Sequence, residues 1–189
     1  MFDVKNYEAV GDGVTVDSAA ISRAIQACSN SGGGTVVFPA GRYLTGPIQL
    51  LSDVTMHLEA GATLIASPHV DDYFEVQAAV ESARVGLLYA TNAANITISG
   101  RGCIDLNGTA FMNMQALHIG RDLDRSYTRQ KEDYLPANGD IADGPVDYLD
   151  RPGDSLQFLN CTNVALRDIT LLNAPDWTVR FGNCDNILV

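Results

Sequence analysis

The chain has 189 residues, a formal net charge of −11 and 46% hydrophobic residues. That length fits about one domain with a core of its own, and the composition excludes a globally disordered chain. The acidic balance argues against nucleic acid and against an anionic membrane surface as the main partner. An acidic sugar polymer fits this charge only where a local basic patch opposes it.

The N-terminal residues have no recognisable targeting signal. The stretch from Met1 to Lys5 has neither a basic region nor an apolar region of the kind that begins a signal peptide. No run in the chain approaches the roughly 18–20 apolar residues that cross a bilayer. The sequence therefore leaves two alternatives, a cytoplasmic protein or a secreted one whose signal has been removed.

One helix is predicted, at about residues 18–30. An apolar stripe at helical spacing is formed by Ile21, Ala24, Ile25 and Cys28. Asp17 and Ser18 are predicted to cap its start, and the three glycines at 32–34 to end it. Short strands are predicted to follow at 35–38, 43–44 and 48–50.

The later part of the chain is repetitive. The pattern F-x-N-C-x-N-[VI] occurs at 158–164 and again 23 residues later, at 181–187. Weaker copies begin at Asp53 and Asn95, and we interpret the 42 residues between them as two turns of about 21. A fixed period in the twenties is typical of a solenoid, and the frame of leucine-rich repeats is missing.

A parallel β-helix accounts for these details, so the predicted class is all-β, with one solenoid domain over 1–189 and an N-terminal capping helix. Asn tolerates left-handed dihedrals at bends, and stacked Asn side chains can hydrogen-bond from coil to coil. Cys161 and Cys184 are predicted to be stacked neighbours. We expect this pair to be reduced and buried, although the spacing permits a disulfide.

The segment from 108 to 150 interrupts the repeat and is predicted to be a long polar loop insertion. Its acidic residues continue to Asp154, and their oxygens suit Ca²⁺, but the ligand frame of a calcium loop is absent. We therefore interpret the series as a solvated acidic loop. His57, His69 and His118 have no partner at metal-ligand spacing. No metal and no cofactor are predicted.

Two groups of motifs resemble the polygalacturonase-like glycoside hydrolases of family 28. They stand at 7–17, 32–46 and 58–64 in the first half, and at 151–152, 173–179 and 184–187 in the second. The first group also occurs in other β-helix proteins, such as pectate-lyase-like and tailspike chains; both groups in this order are specific. The resemblance implies a right-handed parallel β-helix that acts on galacturonan-type pectic polymers by inverting hydrolysis.

The catalytic residues of that family do not carry over. Its carboxylates lie in an Asn-Thr-Asp motif and an Asp-Asp pair, followed by Gly-His-Gly and Arg-Ile-Lys motifs, and this arrangement is absent here. The adjacent acids Asp71-Asp72 and Glu132-Asp133 do not form a catalytic pair, because neighbours on a strand face opposite sides. The resemblance implies an N-terminal portion that is inactive by itself, with the catalytic motifs after Val189.

Two other hypotheses stay open. One is a non-catalytic β-helix module for binding or structure, like a tailspike adhesin. The other is a short enzyme with a new site in the loop at 121–154, where the sequence offers no paired acid and base.

Two residues are predicted to bind substrate, Trp177 and Arg180. The period of two along 176–181 turns Val179 and Phe181 inward and Arg180 outward. The resemblance places this strand on the cleft-forming sheet. Arg180 is therefore expected to meet the carboxylate of an acidic plant cell-wall polysaccharide, and Trp177 to stack on a sugar face.

The last residues, 186–189, are apolar and have no cap. Solenoids normally end in a capping element, and an open strand edge is a template for further pairing. We therefore expect residues 1–189 alone to self-associate through the C-terminal coil or to need a partner at that end.

Overall fold

The computed structural model describes residues 1–75, 84–113 and 147–189. From residue 34 onward, the described chain passes repeatedly through three parallel sheets, A, B and C, in that order. This winding is a right-handed parallel β-helix, so the predicted fold class is confirmed. In the described ranges no helix combines the length and the apolar run that crossing a bilayer requires.

Each sheet receives one strand from each coil. Sheet A contains β1 (Phe2–Asp3), β3 (Gly34–Phe38), β6 (Val54–Leu58), β9 (Ala94–Gly100), β14 (Thr162–Arg167) and β17 (Asp185–Leu188). Sheet B contains β2 (Asp12–Val16), β4 (Gly41–Thr45), β7 (Ala62–Ala66), β10 (Cys103–Asp105) and β15 (Thr170–Leu172). Sheet C contains β5 (Ile48–Gln49), β8 (Leu88–Thr91), β13 (Leu156–Leu159) and β16 (Val179–Gly182).

The core runs along the centre of the coil stack because each strand buries alternate side chains. In β6, Val54, Met56 and Leu58 are buried, whereas the residues between them are half-buried. Equivalent positions of successive coils then meet, as where the rings of Phe158 and Phe181 stack 5.4 Å apart. Removing this apolar surface from water is the main force that holds the coils together.

Helix α1 (Ser18–Asn30) packs against β1 and β3 and buries the predicted stripe. The predicted capping by Asp17 is wrong, since its side chain makes no bond to the helix start. Its carboxylate accepts hydrogen bonds from the backbone N–H groups of Val10 and Gly11, at 2.7 and 3.0 Å. Asp17 is 2% exposed, so its carboxylate ties the preceding loop to the start of the helix from a buried position.

The predicted asparagine ladders are present at the bends before and within sheet A. Asn163 donates to Asn95 at 2.8 Å, and Asn95 donates to Asp53 at 2.7 Å. A second ladder joins Asn183, Asn160 and Asn92. All of these residues have left-handed dihedrals, with φ between 51° and 64°. The ladders stabilise stacked bends that an ordinary residue would strain.

The coils differ in length, and one length was predicted wrongly. Thr55 of β6 pairs directly with Thr97 of β9, so the 42 residues between Asp53 and Asn95 form one coil and not two. The following coil is longer, with 68 residues between Asn95 and Asn163, and the last has 23. The extra residues of the two long coils leave the stack between sheet B and sheet C.

These two excursions pack together beside the stack. The first contains a 3-10 turn at Val70–Asp72 and the second one at Gly108–Phe111. Tyr73, Val85 and Phe111 form a small second core, with the rings of Tyr73 and Phe111 6.2 Å apart. The second excursion closes through the antiparallel strands β11 (Met112–Asn113) and β12 (Asp147–Tyr148). Residues 114–146 lie outside the described residues, so the insertion at 108–150 stays a prediction.

The four cysteines are free thiols. Cys161 and Cys184 precede strands that pair with each other, which stacks them as predicted. Cys161 is buried, but Cys184 is half-buried because it lies on the last coil, so the expected burial of both is wrong for Cys184. Burial raises the pKa of the Cys161 thiol, and the neighbouring Cys184 raises it further. Both effects disfavour the reactive thiolate.

Candidate functional site

A row of polar side chains crosses the outward face of sheet C. Leu88, Leu156 and Phe158 are fully buried in the core, so the residues between them point away from it. The register places four such residues side by side on successive coils: Gln49, Tyr89, Gln157 and Arg180. Strands lie about 4.8 Å apart, so the row extends over about 14 Å.

Arg180 ends this row and is held by a buried carboxylate. Its Nη1 donates to Oδ2 of Asp154 at 3.1 Å. The side chain of Asp154 is 2% exposed and that of Arg180 is 29% exposed. Within the described residues, this is the one hydrogen bond of a guanidinium that has five donors. Asp154 therefore orients Arg180 and leaves donors for a ligand.

Trp177 stands beside this pair and is 71% exposed. Its backbone carbonyl accepts a hydrogen bond from Ser155 N at 2.9 Å, and its own N–H donates to the Asp176 side chain. Arg151 donates to the carbonyl of Pro175 at 2.7 Å and pairs with Asp176 at 3.3 Å. The bend before Trp177 is thus fixed, and the indole is presented to solvent from a rigid backbone.

The two predicted residues share one pocket of about 240 Å³, which is lined by Asp154, Trp177, Val179 and Arg180. Val179 and Phe181 pack against the core, as the period of two predicted. The pocket thus combines an exposed aromatic ring with a partly free guanidinium.

The excursions flank the same face. Phe74 of the first excursion contacts Tyr89 of the polar row edge to face, with ring centroids 5.6 Å apart. Tyr73 lies behind it, where its hydroxyl donates to Ser67 O at 2.9 Å, and burial raises the pKa of that hydroxyl. At Gly86 the backbone passes so close that an added Cβ would lie 1.8 Å from Asp154 O. The end of the first excursion and the pocket are therefore packed directly against each other.

The carboxylates nearest the pocket are both engaged. Asp154 is paired with Arg180, and Asp176 with Arg151. Among the described residues, no group of three or more His, Cys, Asp or Glu is placed to hold a metal ion. This geometry suits binding of an anionic, ring-shaped ligand, and the described residues provide no free pair of acids beside the pocket.

The other residues singled out in the sequence lie elsewhere. His57 is on sheet A, where its Nδ1 lies 3.1 Å from Ser99 Oγ. Asp71 and Asp72 lie in the 3-10 turn of the first excursion, where Ser67 donates to Asp72. His69 precedes that turn. His118, Glu132 and Asp133 lie outside the described residues.

Sequence reasoning missed Asp154, Gln157, Tyr89 and Gln49. A signal existed for two of them: Asp154 and Gln157 precede Trp177 and Arg180 by 23 residues, the step of the last coil. No such signal marks Tyr89, because the long excursion places it 68 residues before Gln157.

The stack of three-sheet coils defines a right-handed parallel β-helix that presents an aromatic ring and a cation on one outward face. The chain belongs to the family described as rhamnogalacturonase A/epimerase, pectate lyase-like, whose model matches residues 1–124. The resemblance to the polygalacturonase-like hydrolases is confirmed by relatives that align with almost the whole chain.

One relative is the exo-poly-alpha-D-galacturonosidase of Dickeya chrysanthemi, 28% identical over 211 residues that cover 100% of this chain and 35% of that protein. The hyperthermoactive exopolygalacturonase of Thermotoga maritima superposes with a TM-score of 0.68 at 25% identity, over 98% of this chain and 44% of that one. The family 28 exopolygalacturonase of Yersinia enterocolitica shares the fold, with a TM-score of 0.60 at 22% identity. The superposition covers 99% of this chain and 38% of that one. This chain thus spans between 35% and 44% of the length of these proteins.

Proposed function

We propose that this chain is the N-terminal portion of a glycoside hydrolase that cleaves pectic, galacturonan-type polysaccharides with inversion. The observation that carries the proposal is the alignment of the whole chain with a galacturonosidase. Inverting hydrolysis needs a general acid and a general base about 6.5–9.5 Å apart. Because Asp154 and Asp176 are each paired with an arginine, we assign substrate binding to residues 1–189 and the catalytic carboxylates to residues outside them.

In this proposal Arg180 recognises a uronate. A guanidinium that keeps free donors can bind a carboxylate through two parallel hydrogen bonds. Trp177 offers its exposed ring as a platform for one face of the sugar. Asp154 acts as a positioning residue, because it holds the guanidinium at the edge of the pocket.

The experiment uses trigalacturonate and residues 1–189. Trp177 is the single tryptophan of the chain, so its fluorescence reports on this pocket alone. We expect a saturable fluorescence change and, for Arg180→Lys, binding weakened about five- to tenfold, since lysine keeps the charge beside Asp154 but lacks the planar fork. Because the proposed catalytic carboxylates lie outside residues 1–189, we expect these residues alone to release no reducing ends from polygalacturonate.

The matched control is Arg42→Lys, which makes the same exchange on sheet B, and it should bind like the wild type. Equal affinity of Arg180→Lys and the wild type contradicts the role of Arg180. Release of reducing ends by residues 1–189 contradicts the assignment of the catalytic groups.

A second part of the proposal concerns assembly. Ile187, Leu188 and Val189 are 39%, 48% and 81% exposed at the last edge of sheet A. An apolar strand edge is a template for pairing, so we propose that residues 1–189 self-associate there. Sedimentation at micromolar concentration should give species larger than a monomer, and a single monomeric species contradicts this part.

A further inference from the structure

A second groove lies on the outward face of sheet A. The register aligns His57 of β6, Ser99 of β9 and Arg167 of β14 in one row across three coils. The groove has a volume of about 640 Å³. Its polar lining includes His57, Glu59, Ser99, Arg101, Arg167 and Asp168. It shares no lining residue with the pocket on sheet C.

Two arginines, Arg101 and Arg167, line this groove. In the described part of the chain neither Arg101 nor Arg167 has a hydrogen bond or an ion pair. Arg180, in contrast, is held by its buried partner Asp154. The two carboxylates of the lining, Glu59 and Asp168, balance the two arginines, so the groove is formally neutral in a chain with a net charge of −11, and its guanidinium groups keep their donors for a carboxylate.

The remaining lining narrows the ligand class. Glu59 and Asp168 supply acceptors, which can bind the hydroxyl groups of a ligand. The imidazole of His57 is tied to Ser99 through Nδ1, which leaves its Nε2 for a ligand. A groove that offers both cations and carboxylates fits a molecule that carries carboxylates and hydroxyls on the same ring.

We propose that this groove is a second binding site for acidic sugars, which holds the carboxylate on Arg101 and Arg167 and the hydroxyls on Glu59 and Asp168. The two arginines lie on adjacent coils: Arg167 pairs with Ser99 of β9, and Arg101 follows the end of β9. The site holds the ligand on a different face from the pocket and takes no part in bond cleavage. Its ligand class follows from its own residues and does not depend on hydrolysis.

The test is calorimetric titration of residues 1–189 with trigalacturonate at low ionic strength, alongside the fluorescence of Trp177. The wild type should show two binding events by calorimetry, of which fluorescence reports one. Combined Arg101→Gln and Arg167→Gln should weaken the second event at least about tenfold, because charged hydrogen bonds to the carboxylate are lost. The fluorescence titration of this double variant should stay unchanged. Both residues are exposed, so the variant should fold.

Arg42→Gln is the matched control, since it removes an exposed arginine from sheet B, and it should keep both events. The proposal is overturned if the double variant binds as the wild type does, or if Arg42→Gln loses as much affinity. It is also overturned if neutral galactotriose binds equally well, or if inorganic phosphate displaces trigalacturonate at equal concentration. Loss of the calorimetric event in the double variant supports the groove even where the fluorescence signal of the sheet C pocket is absent.

Discussion

The outward faces of sheet C and sheet A are built on the same coils but have different surroundings. Both long excursions leave the stack between sheets B and C, so they rise beside sheet C and pack against its polar row. The bends that lead from sheet C to sheet A are short, for example from Leu159 to Thr162, and they are held by asparagine ladders. The groove of sheet A therefore lies apart from the excursions, and the pocket of sheet C lies beside them.

The difference extends to the charges. On sheet C the guanidinium of Arg180 is oriented by a buried acid, which costs desolvation but fixes the direction of its free donors. On sheet A, Arg101 and Arg167 are exposed and have no hydrogen-bond or ion-pair partner among the described residues. A preorganised cation loses less freedom when it binds, so we expect the sheet C pocket to be the more selective of the two.

The largest effect on stability is expected on the sheet C side, for Gly86→Ala. An added Cβ would lie 1.8 Å from the backbone oxygen of Asp154, and backbone at this position cannot yield without separating the coils. Overpacking of this kind should lower the free energy of unfolding by about 3 kcal/mol or more. Urea unfolding measures it.

Gly32→Ala is the control for Gly86→Ala. No atom lies within 4 Å of its added Cβ, and only its φ of +89° resists the change. We expect a loss of about 1 kcal/mol from that strain. If both variants lost the same free energy of unfolding, the close approach of Gly86 to Asp154 would not be what holds the first excursion against the pocket.

A smaller effect on the free energy of unfolding should distinguish the arginines of the two faces. Arg180→Gln leaves the buried Asp154 without its partner and should cost about 2 kcal/mol of unfolding free energy. Arg167→Gln removes a solvated charge with no partner in the described chain and should change stability by less than about 0.5 kcal/mol. Thermal and urea unfolding of both variants test this, and a loss at Arg167 as large as that at Arg180 contradicts the contrast.

The repeated elements of the fold could be read from the sequence because they depend on near neighbours. The stripe from Ile21 to Cys28 predicts α1, and the 23-residue repeat predicts the last coil and its ladders. Trp177 and Arg180 could be predicted to lie near each other because they are only three residues apart, Trp177 just before β16 and Arg180 within it. Their partner Asp154 was missed, although it stands one regular coil earlier.

The sequence by itself determined the fold class, the capping helix, the left-handed asparagines and the outward direction of Arg180, since all of these follow from local periodicity. Only the tertiary structure decided which coils are neighbours across the steps of 42 and 68 residues. It thereby decided that Tyr89 joins the row of Gln157 and that Arg101 and Arg167 share a groove. The physical reason is that a coil can hold an excursion of any length outside the stack while the register of its strands stays the same.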